Sequence, residues 1–364
     1  MAHALRLDSD APYRHLIGVG GIGTGMFFRL EGDHTLGRSE RREAKLLDVR
    51  DYCKLHIIAH YVAVLTGARP EGSPFHVLPV GKVGSDVAGE ELRREMTEAG
   101  MDLRMVSSVE GKPTMLSVCF RYPDGSGGSL ATSDSAASVL SHDDLVAAEQ
   151  HVAESGSRCI VLAAPEVPLA LRAGLLEVAS RHGALRVAAF ASTEIAEARR
   201  IGMLANVDLL AVNEDEAAAL LGREFDGSKQ FLKDLAAAAG ELNPGMRVLL
   251  SAGLLGAWGY ADGNWVRCPA AKVQAVSTAG AGDALLGATL ALVAAGVPFI
   301  GTGEERASLA DRPLDSALEF GVLLAGYSVT GPHLIHHGVN LDTVMKFADQ
   351  LGVHFSDELL AVFG

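Results

Sequence analysis

The sequence Arg158-Cys-Ile-Val-Leu-Ala-Ala164 is an apolar run of strand length, and it begins the stretch of the chain that decides the fold. Alternating predicted helices and strands follow it, at 169–182, 185–190, 194–204, 207–212, 214–221 and 247–251. Continuous apolar strands between amphipathic helices are typical of a parallel sheet that helices cover on both faces. The sequence therefore predicts an α/β fold.

Two segments outside this alternation carry a different pattern. Residues 115–132 predict a hairpin, with strand letters MLSVCF, turn letters PDGSGG and strand letters SLATS. Residues 26–54 are charged and weakly periodic, and we expect both segments to form a small flap on the main sheet. A second hairpin is predicted at 257–268, and the polar residues 301–313 predict a surface loop.

Composition limits the classes of partner. The chain has 364 residues, is 48% hydrophobic and carries a formal net charge of -14, which suits an enzyme acting on small molecules. Because such a surface repels polyanions, nucleic acid and anionic membranes are not expected partners. The start of the sequence has no continuous apolar run, and the most apolar stretch, 284–295, is too short to span a bilayer. A cytoplasmic location is therefore expected.

The strongest functional signal is Val276-Ser-Thr-Ala-Gly-Ala-Gly-Asp283, which leads into a predicted helix at 283–295. Its small residues let the backbone approach a ligand closely. The first amides of a helix lack intrahelical partners and attract anions. A carboxylate at the mouth of such a site is placed to take a proton from an attacking hydroxyl group. On this pattern alone, a purely structural interpretation is as open as the catalytic one. In it, Asp283 only caps the helix and the glycines only form a tight turn.

The segment Thr278–Asp283 resembles the C-terminal signature of the ribokinase-like (PfkB-type) carbohydrate kinases. Four other segments are similar to elements of that family and stand in the family's order. They are Gly81–Gly89 for GxxGxDxxG, Glu166 ahead of Pro168 for a substrate-facing glutamate, Asn213–Glu216 for NxxE and Ser251–Gly256 for the nucleotide loop. Five ordered matches over roughly residues 15–350 are far more specific than any single one.

The resemblance implies a single ribokinase-like domain over residues 1–364, with a doubly wound, mostly parallel sheet. It also implies a small β lid, which residues 26–54 and 115–132 would build. Such enzymes transfer a phosphoryl group from ATP, with Mg²⁺, to a hydroxyl group of a small metabolite. The expected acceptor is a sugar, sugar acid, polyol or nucleoside. In many members the lid also mediates dimers, so a homodimer is expected.

The resemblance also carries roles to single residues. Asp283 would be the general base, and the backbone amides of Gly280, Ala281 and Gly282 would form the anion hole. The nucleotide and its Mg²⁺ would be held, the metal mostly through water, by Asn213 and Glu216. Further nucleotide contacts are expected from Ser251, Gly253, Gly256 and Thr278. Contacts to the acceptor are expected from Gly23, Gly25, Lys54 and Glu166.

The sequence departs from the family pattern at the acceptor end. Family members have an early Asp that binds sugar hydroxyls, whereas Gly21-Ile-Gly-Thr-Gly25 contains no carboxylate. Where they have a Gly-Gly pair and an Asn, this chain has Asp51-Tyr-Cys-Lys54. Ordinary ribose or fructose is therefore not the expected acceptor. Ser277 stands where the family often has an Asp tied to a monovalent cation, which leaves potassium activation open.

Other readings of the sequence stay open beside the kinase. One is a non-catalytic relative that keeps the fold to bind a metabolite or partner. A nicotinamide-dependent oxidoreductase rests only on the GxGxxG pattern at Gly18–Gly23, which needs a helix directly after it. His56 and His60 stand four apart on a predicted helix, where core histidines are a better interpretation than a metal site. The arginines of 26–54 suit either an acidic substrate or a solvated face.

Overall fold

Thirteen strands form two sheets in the computed structural model, which describes residues 3–124, 126–301 and 306–364. The strands are β1 His15–Val19, β2 Gly23–Leu30, β3 Ala44–Tyr52, β4 His76–Gly84, β5 Val106–Val109, β6 Met115–Arg121, β7 Gly127–Ala131, β8 Cys159–Ala163, β9 Leu185–Ala189, β10 Leu209–Asn213, β11 Arg247–Ser251, β12 Ala257–Ala261 and β13 Asn264–Cys268. Residue 125 of the predicted lid segment and residues 302–305 of the predicted loop lie outside the described residues.

The α-helices lie between and after these strands. They are α1 Lys54–Thr66, α2 Val87–Glu98, α3 Val146–Ser155, α4 Leu169–Arg181, α5 Ile195–Arg200, α6 Glu214–Leu221, α7 Lys229–Leu242, α8 Ala281–Ala294, α9 Ala317–Ser328, α10 Leu341–Gln350 and α11 Asp357–Ala361. None of these described helices is long and apolar enough to cross a membrane.

The larger sheet has nine strands in the order β13-β12-β11-β10-β9-β8-β1-β4-β5. Seven neighbouring strands of this sheet run parallel, from β11 through β10, β9, β8, β1 and β4 to β5. The hairpin β12–β13 adds an antiparallel edge beside β11. The predicted doubly wound, mostly parallel sheet is thereby confirmed. Chain connections leave β1 toward β4 on one side and resume at β8 on the other. In open α/β sheets, ligands bind outside the carboxyl ends of the strands at such a switch point.

Both faces of this sheet are buried, because its strands place apolar residues on each side in turn. Leu16 and Leu162 face one cluster, which α1, α8, α9 and α10 complete. Ile17 and Val161 face the other, which α3 to α7 complete. Each fully buried aliphatic side chain contributes about 1.5–3 kcal/mol to the free energy of folding. The apolar, non-alternating strand sequences follow from this two-sided burial.

The smaller sheet has the order β3-β2-β6-β7 and forms the β lid. Strand β2 follows β1 almost directly, so the residues after Gly23 form a strand. A helix N-terminus for a dinucleotide is therefore missing at that point, and the GxGxxG interpretation is wrong. Strand β3 of the lid ends at Tyr52, and α1 begins at Lys54.

The GxxGxDxxG segment ties the lid to the main sheet. Asp86 caps α2 by accepting a hydrogen bond from the Gly89 amide at 2.8 Å. Its other oxygen accepts from the Thr114 amide at 2.7 Å, directly before strand β6. Positions 84 and 89 require glycine, since a Cβ at Gly84 or Gly89 would overlap backbone atoms or Thr114. This motif therefore positions the start of the second lid segment.

Candidate active site

A cavity of about 520 Å³ opens at the carboxyl ends of β10 and β11. Most of the predicted site residues line it together, although they come from four separate parts of the chain. They are Lys54, Asn213, Glu216, Ser251, Gly253, Gly256, Thr278, Gly280, Ala281, Gly282 and Asp283. Three predicted residues, Gly23, Gly25 and Glu166, do not line this cavity. They lie at the base of the lid.

The floor of the cavity includes the N-terminus of α8. Gly280 precedes the helix with φ of 79°, a conformation that glycine adopts without strain. A Cβ at this position would lie 2.8 Å from the carbonyl oxygen of Leu334, so the close approach of the two backbones also requires glycine. The first amides of α8 face no side-chain cap. The Ala281 amide makes a long hydrogen bond of 3.4 Å to the Thr278 carbonyl oxygen. This end of the helix therefore suits an anion, as the helix dipole favours.

Asp283 lies in the first turn of α8, at this anion-binding end. Burial raises the pKa of its carboxyl group to about 6, while the Lys54 ammonium opposes the rise and the Glu216 carboxylate adds to it. A carboxylate with a pKa near 6 is mostly ionised at neutral pH and is still basic enough to accept a proton. Its position and its pKa both suit a general base.

Lys54 brings positive charge to the same place. It begins α1, and its Nζ donates to Glu216 Oε1 at 2.7 Å and to the Phe190 carbonyl oxygen at 2.8 Å. Burial opposes the charge, but the carboxylates of Asp283 and Glu216 raise the pKa of Lys54 above its ordinary value. Among the described residues that line the cavity, Lys54 alone is cationic. It is therefore the protein group that can meet a phosphate there.

Asn213 and Glu216 form a reciprocal cap at the start of α6. Asn213 Oδ1 accepts from the Glu216 amide at 2.8 Å, and Glu216 Oε2 accepts from the Asn213 amide at 2.9 Å. Across residues 3–124, 126–301 and 306–364, no group of three or more His, Cys, Asp or Glu side chains could hold a metal. Mg²⁺ usually keeps several waters and uses few protein ligands. These engaged side chains therefore fit contact with Mg²⁺ through water.

The predicted nucleotide loop follows β11 at the cavity wall. Gly253 and Gly256 have φ values of 46° and 93°, and a Cβ at Gly256 would overlap the Cys268 carbonyl oxygen. The tight turn thus depends on glycine and leaves Leu254 94% exposed beside the opening. Ser251 lies across from Gly282, where a Cβ would be 3.2 Å from Ser251 Oγ. The loop after β11 and the start of α8 therefore lie close together at the cavity wall.

Glu166 follows β8 and faces the lid rather than the cavity. Its φ of 75° is rare for a residue with a side chain and turns the carboxylate toward Gly21, where a Cβ would be 2.9 Å from Glu166 Oε2. Glu166 is exposed at the cleft surface, while its carboxylate lies among protein atoms that desolvate it. This desolvation raises the pKa of Glu166 to about 7, and the charge of Asp283 adds to the rise.

Gly23 and Gly25 lie on β2, where protein atoms fill the space beside them. A Cβ at Gly23 would be 2.7 Å from the Met115 carbonyl oxygen and 3.0 Å from Cys53 Sγ. A Cβ at Gly25 would overlap Ser117 Oγ and lie 2.9 Å from Asp51 Oδ2. These glycines therefore make room for neighbouring side chains. Asp51 on β3, which begins the segment that replaces the family's Gly-Gly pair and Asn, reaches this place.

Two of the five arginines of the first lid segment pair with acidic residues, and the other three are exposed. Arg50 donates to Glu95 at 2.5 Å and lies 3.5 Å from Glu91, both on α2. Arg42 pairs with Glu40 at 2.6 Å on the outer part of the lid. These pairs favour the interpretation of a solvated, balanced lid face over an anion-binding cluster.

Known proteins are similar to this chain in sequence and in fold. Residues 62–337 match the model of the pfkB family of carbohydrate kinases. The ribokinase of Schizosaccharomyces pombe is 29% identical over 243 residues, which are 65% of this chain and 73% of that protein.

Solved structures agree on the fold. The ribokinase of Giardia lamblia superposes with a TM-score of 0.73 at 17% identity, over 93% of this chain and 99% of the other. The Arabidopsis thaliana ribokinase complexed with ribose and ATP gives a TM-score of 0.68 at 18% identity, over 92% and 98%. With the family match spanning most of its length, the chain belongs to the pfkB family of carbohydrate kinases.

Proposed function

We propose that this protein transfers the terminal phosphoryl group of ATP to a hydroxyl group of a small, sugar-like metabolite. The observation that carries the proposal is the placement of Asp283 at the uncapped N-terminus of α8, in one cavity with Lys54. A base, an anion-binding end and a cation are what in-line phosphoryl transfer needs from a protein. The Arabidopsis relative that was solved with ribose and ATP has the same fold.

Each residue then has a defined part. Asp283 takes the proton of the acceptor hydroxyl as the oxygen attacks phosphorus. The amides of Gly280, Ala281 and Gly282 donate to the phosphoryl oxygens, whose charge is spread in the transition state. Lys54 offsets part of the negative charge, and Glu216 keeps the Lys54 ammonium in place at 2.7 Å. Thr278 and the loop with Ser251, Gly253 and Gly256 hold the nucleotide.

Magnesium enters this scheme with the nucleotide. Mg²⁺, when bound, would neutralise phosphate charge, and Asn213 and Glu216 would contact it through water. The reciprocal cap that joins these two residues keeps their oxygens at a fixed place above β10. The protein thereby orients the phosphates without a cage of direct ligands.

The lid has two parts in the proposal. Its closure over the acceptor excludes water, which otherwise competes with the acceptor hydroxyl. Its outer strands carry Leu46 at 65% exposure and Leu130 at 69% exposure, and a second copy of the chain would cover them in a homodimer. Light scattering should then give twice the chain mass for the wild type. Leu46→Asp should give a monomer, whereas Val146→Asp, at an exposed helix position, should not.

The experiment that tests the function is ADP release from Mg-ATP over a panel of sugars, sugar acids, polyols and nucleosides. Wild type and Asp283→Asn are measured side by side, with ATP binding followed by calorimetry. Turnover of one compound that falls about 10³-fold or more in the variant is the expected result. ATP binding without turnover of any compound would favour a non-catalytic, metabolite-binding relative.

A further inference from the structure

We propose that Asp51 binds hydroxyl groups of the acceptor and makes the site selective for uncharged, polyhydroxylated compounds over anionic ones. The proposal rests on the kinase function above and narrows its acceptor class. It excludes phosphorylated sugars, and also sugar acids, which the sequence left among the candidates. It also identifies a carboxylate at the acceptor end, where the segment Gly21–Gly25 supplies none.

The lid sheet places Asp51 over the position of the missing carboxylate. Gly25 on β2 pairs with Asp51 on β3 and with Ser117 on β6. Residues paired across neighbouring strands point to the same face of a sheet. Because Gly25 has no side chain, Asp51 Oδ2 reaches across β2 and accepts a hydrogen bond from Ser117 Oγ. The glycine and the carboxylate are thus two halves of one arrangement.

This face of the lid looks into the catalytic centre. Cys53 Sγ lies close beside Gly21 and Gly23, on the same side as the Glu166 carboxylate. Desolvation is the main cause of the raised pKa values of Asp283 and Glu166, and the charge of Asp51 raises both further. Asp51 therefore lies near the proposed base and the substrate-facing glutamate, at the end of the site away from the nucleotide cavity.

The charges around this end disfavour an anionic acceptor. Asp51, Glu166 and Asp283 present three carboxyl groups to it, while the ammonium of Lys54 is held 2.7 Å from Glu216. Arg50, the neighbour of Asp51, points to the other face of β3 and pairs with Glu95. A carboxylate or phosphate on the acceptor would therefore meet like charge at close range. Hydroxyl groups, in contrast, donate well to carboxylates.

Asp51 keeps capacity for such a donor. Its Oδ2 accepts from Ser117 Oγ and lies 3.5 Å from Cys119 Sγ, and its Oδ1 accepts from the Tyr52 amide at 3.0 Å. An ionised carboxylate has roughly four acceptor positions. These contacts fix the direction of the carboxylate and leave one acceptor position of the half-buried Asp51 open. The same contacts define the competing explanation, in which Asp51 only holds the lid sheet together.

The test compares each sugar with its own acid. Steady-state kcat and KM are measured for D-xylose against D-xylonate and D-glucose against D-gluconate, with wild type, Asp51→Asn and Asp48→Asn. Asp48 is an exposed acid on the same strand and is the matched control. We expect wild type to prefer the neutral member by about tenfold or more. Asp51→Asn should raise KM for the neutral sugar about 10- to 100-fold, with kcat little changed.

The possible outcomes test the role of Asp51 separately from the proposed kinase activity. A preference for the acids in wild type, or an Asp51→Asn variant that loses thermal stability with an unchanged KM, would overturn the role of Asp51. If Asp51→Asn does not fold, Ser117→Ala takes its place, and a smaller rise in KM for the neutral sugar is expected. If no compound of this set or of the wider acceptor panel is phosphorylated, the kinase proposal fails. The sugars should then still raise the Tm of wild type more than that of Asp51→Asn, and equal shifts would overturn the proposal.

Discussion

The Nζ atom of Lys54 lies 2.7 Å from Oε1 of Glu216, so the first residue of α1 is joined to the first turn of α6 across the cavity. This ion pair brings a cation from beside the lid to the nucleotide end of the site. In the proposed function, this cation lets a pocket with several carboxylates receive a polyphosphate, and Lys54 links the acceptor end to the phosphoryl group.

Replacing Lys54 tests this link. In Lys54→Met the ammonium that opposes ionisation of Asp283 is gone, so the pKa of Asp283 should rise above its value of about 6. Because the base must be deprotonated, wild-type kcat/KM should fall below pH 6 and the variant's fall should begin at higher pH. We also expect kcat to drop about 10²- to 10³-fold.

A pH–rate profile for each protein is the measurement, and Lys233→Met on the exposed face of α7 is the control. A profile in Lys54→Met that coincides with that of wild type would mean that the ammonium does not act on the base.

Gly280→Ala tests the anion hole. The new Cβ would lie 2.8 Å from the Leu334 carbonyl oxygen in a backbone with φ of 79°. We expect the α8 terminus to shift and both ATP binding and kcat to fall by more than tenfold. Gly263→Ala is a matched control, since Gly263 has φ of 81° with nothing within 4 Å of an added Cβ.

Both variants should lose about 1 kcal/mol of stability from the positive φ. Equal catalytic loss in the two variants, measured with ATP titrations, would show that general destabilisation and not the anion hole is responsible.

Asp283 should also limit the stability of the fold. Its folded-state pKa is raised to about 6, so ionising it costs free energy as the pH rises from about 4 through 6. Asp283→Asn removes that cost, and we expect its Tm to exceed the wild-type value at pH 8 but not at pH 4. Thermal melts at the two pH values measure this. An unchanged difference between the proteins at both pH values would mean that the carboxyl group is not desolvated.

Two buried histidines on α1 should make the protein acid-labile. His56 and His60 are buried, and neither ring has a hydrogen-bond partner among the described residues. Burial lowers the pKa of His60 to about 3 and that of His56 well below its ordinary value. Because the unfolded chain takes up these protons near pH 6.5, stability is full above that pH and falls as the pH drops toward 3.

In His60→Phe this pH dependence should weaken by up to about 1.4 kcal/mol per pH unit between pH 6 and 4. Denaturant unfolding at several pH values measures it, with exposed His182→Gln as the control. A slope in His60→Phe equal to that of wild type would contradict the assignment. The interpretation of these residues as core histidines agrees with their burial.

Most of the strand and helix pattern from residue 158 to 251 was predictable, because strands that are buried on both faces have continuous apolar sequences. Two helices differ from the prediction. The predicted helix at 194–204 is too long, since α5 covers only Ile195–Arg200 and a short turn follows, and α7, Lys229–Leu242, was not predicted. The grouping of Lys54 with Asp283 was expected from family resemblance alone. No local pattern relates a residue at the start of α1 to one at the start of α8.

Asp51 shows where sequence reasoning ends. Its role depends on the register of β2 between β3 and β6, which places Gly25 beside it. The segment around Gly25 has no carboxylate of its own, which suggested a site without one. The carboxylate of Asp51, on the neighbouring strand β3, lies beside Gly25 instead. Glu166 likewise owes its direction to a positive φ that its side chain does not predict. Tertiary contacts decide both positions.

The most direct test of the account is the chemical identity of the product. The acceptor that supports ADP release is incubated with Mg-ATP and wild type or Asp283→Asn, and ³¹P NMR with mass spectrometry follows both substrates. The account predicts an acceptor that gains one phosphoryl group, in amounts equal to the ADP formed, with wild type only. ADP formed together with inorganic phosphate and an unmodified acceptor, or equal product from Asp283→Asn, would contradict it.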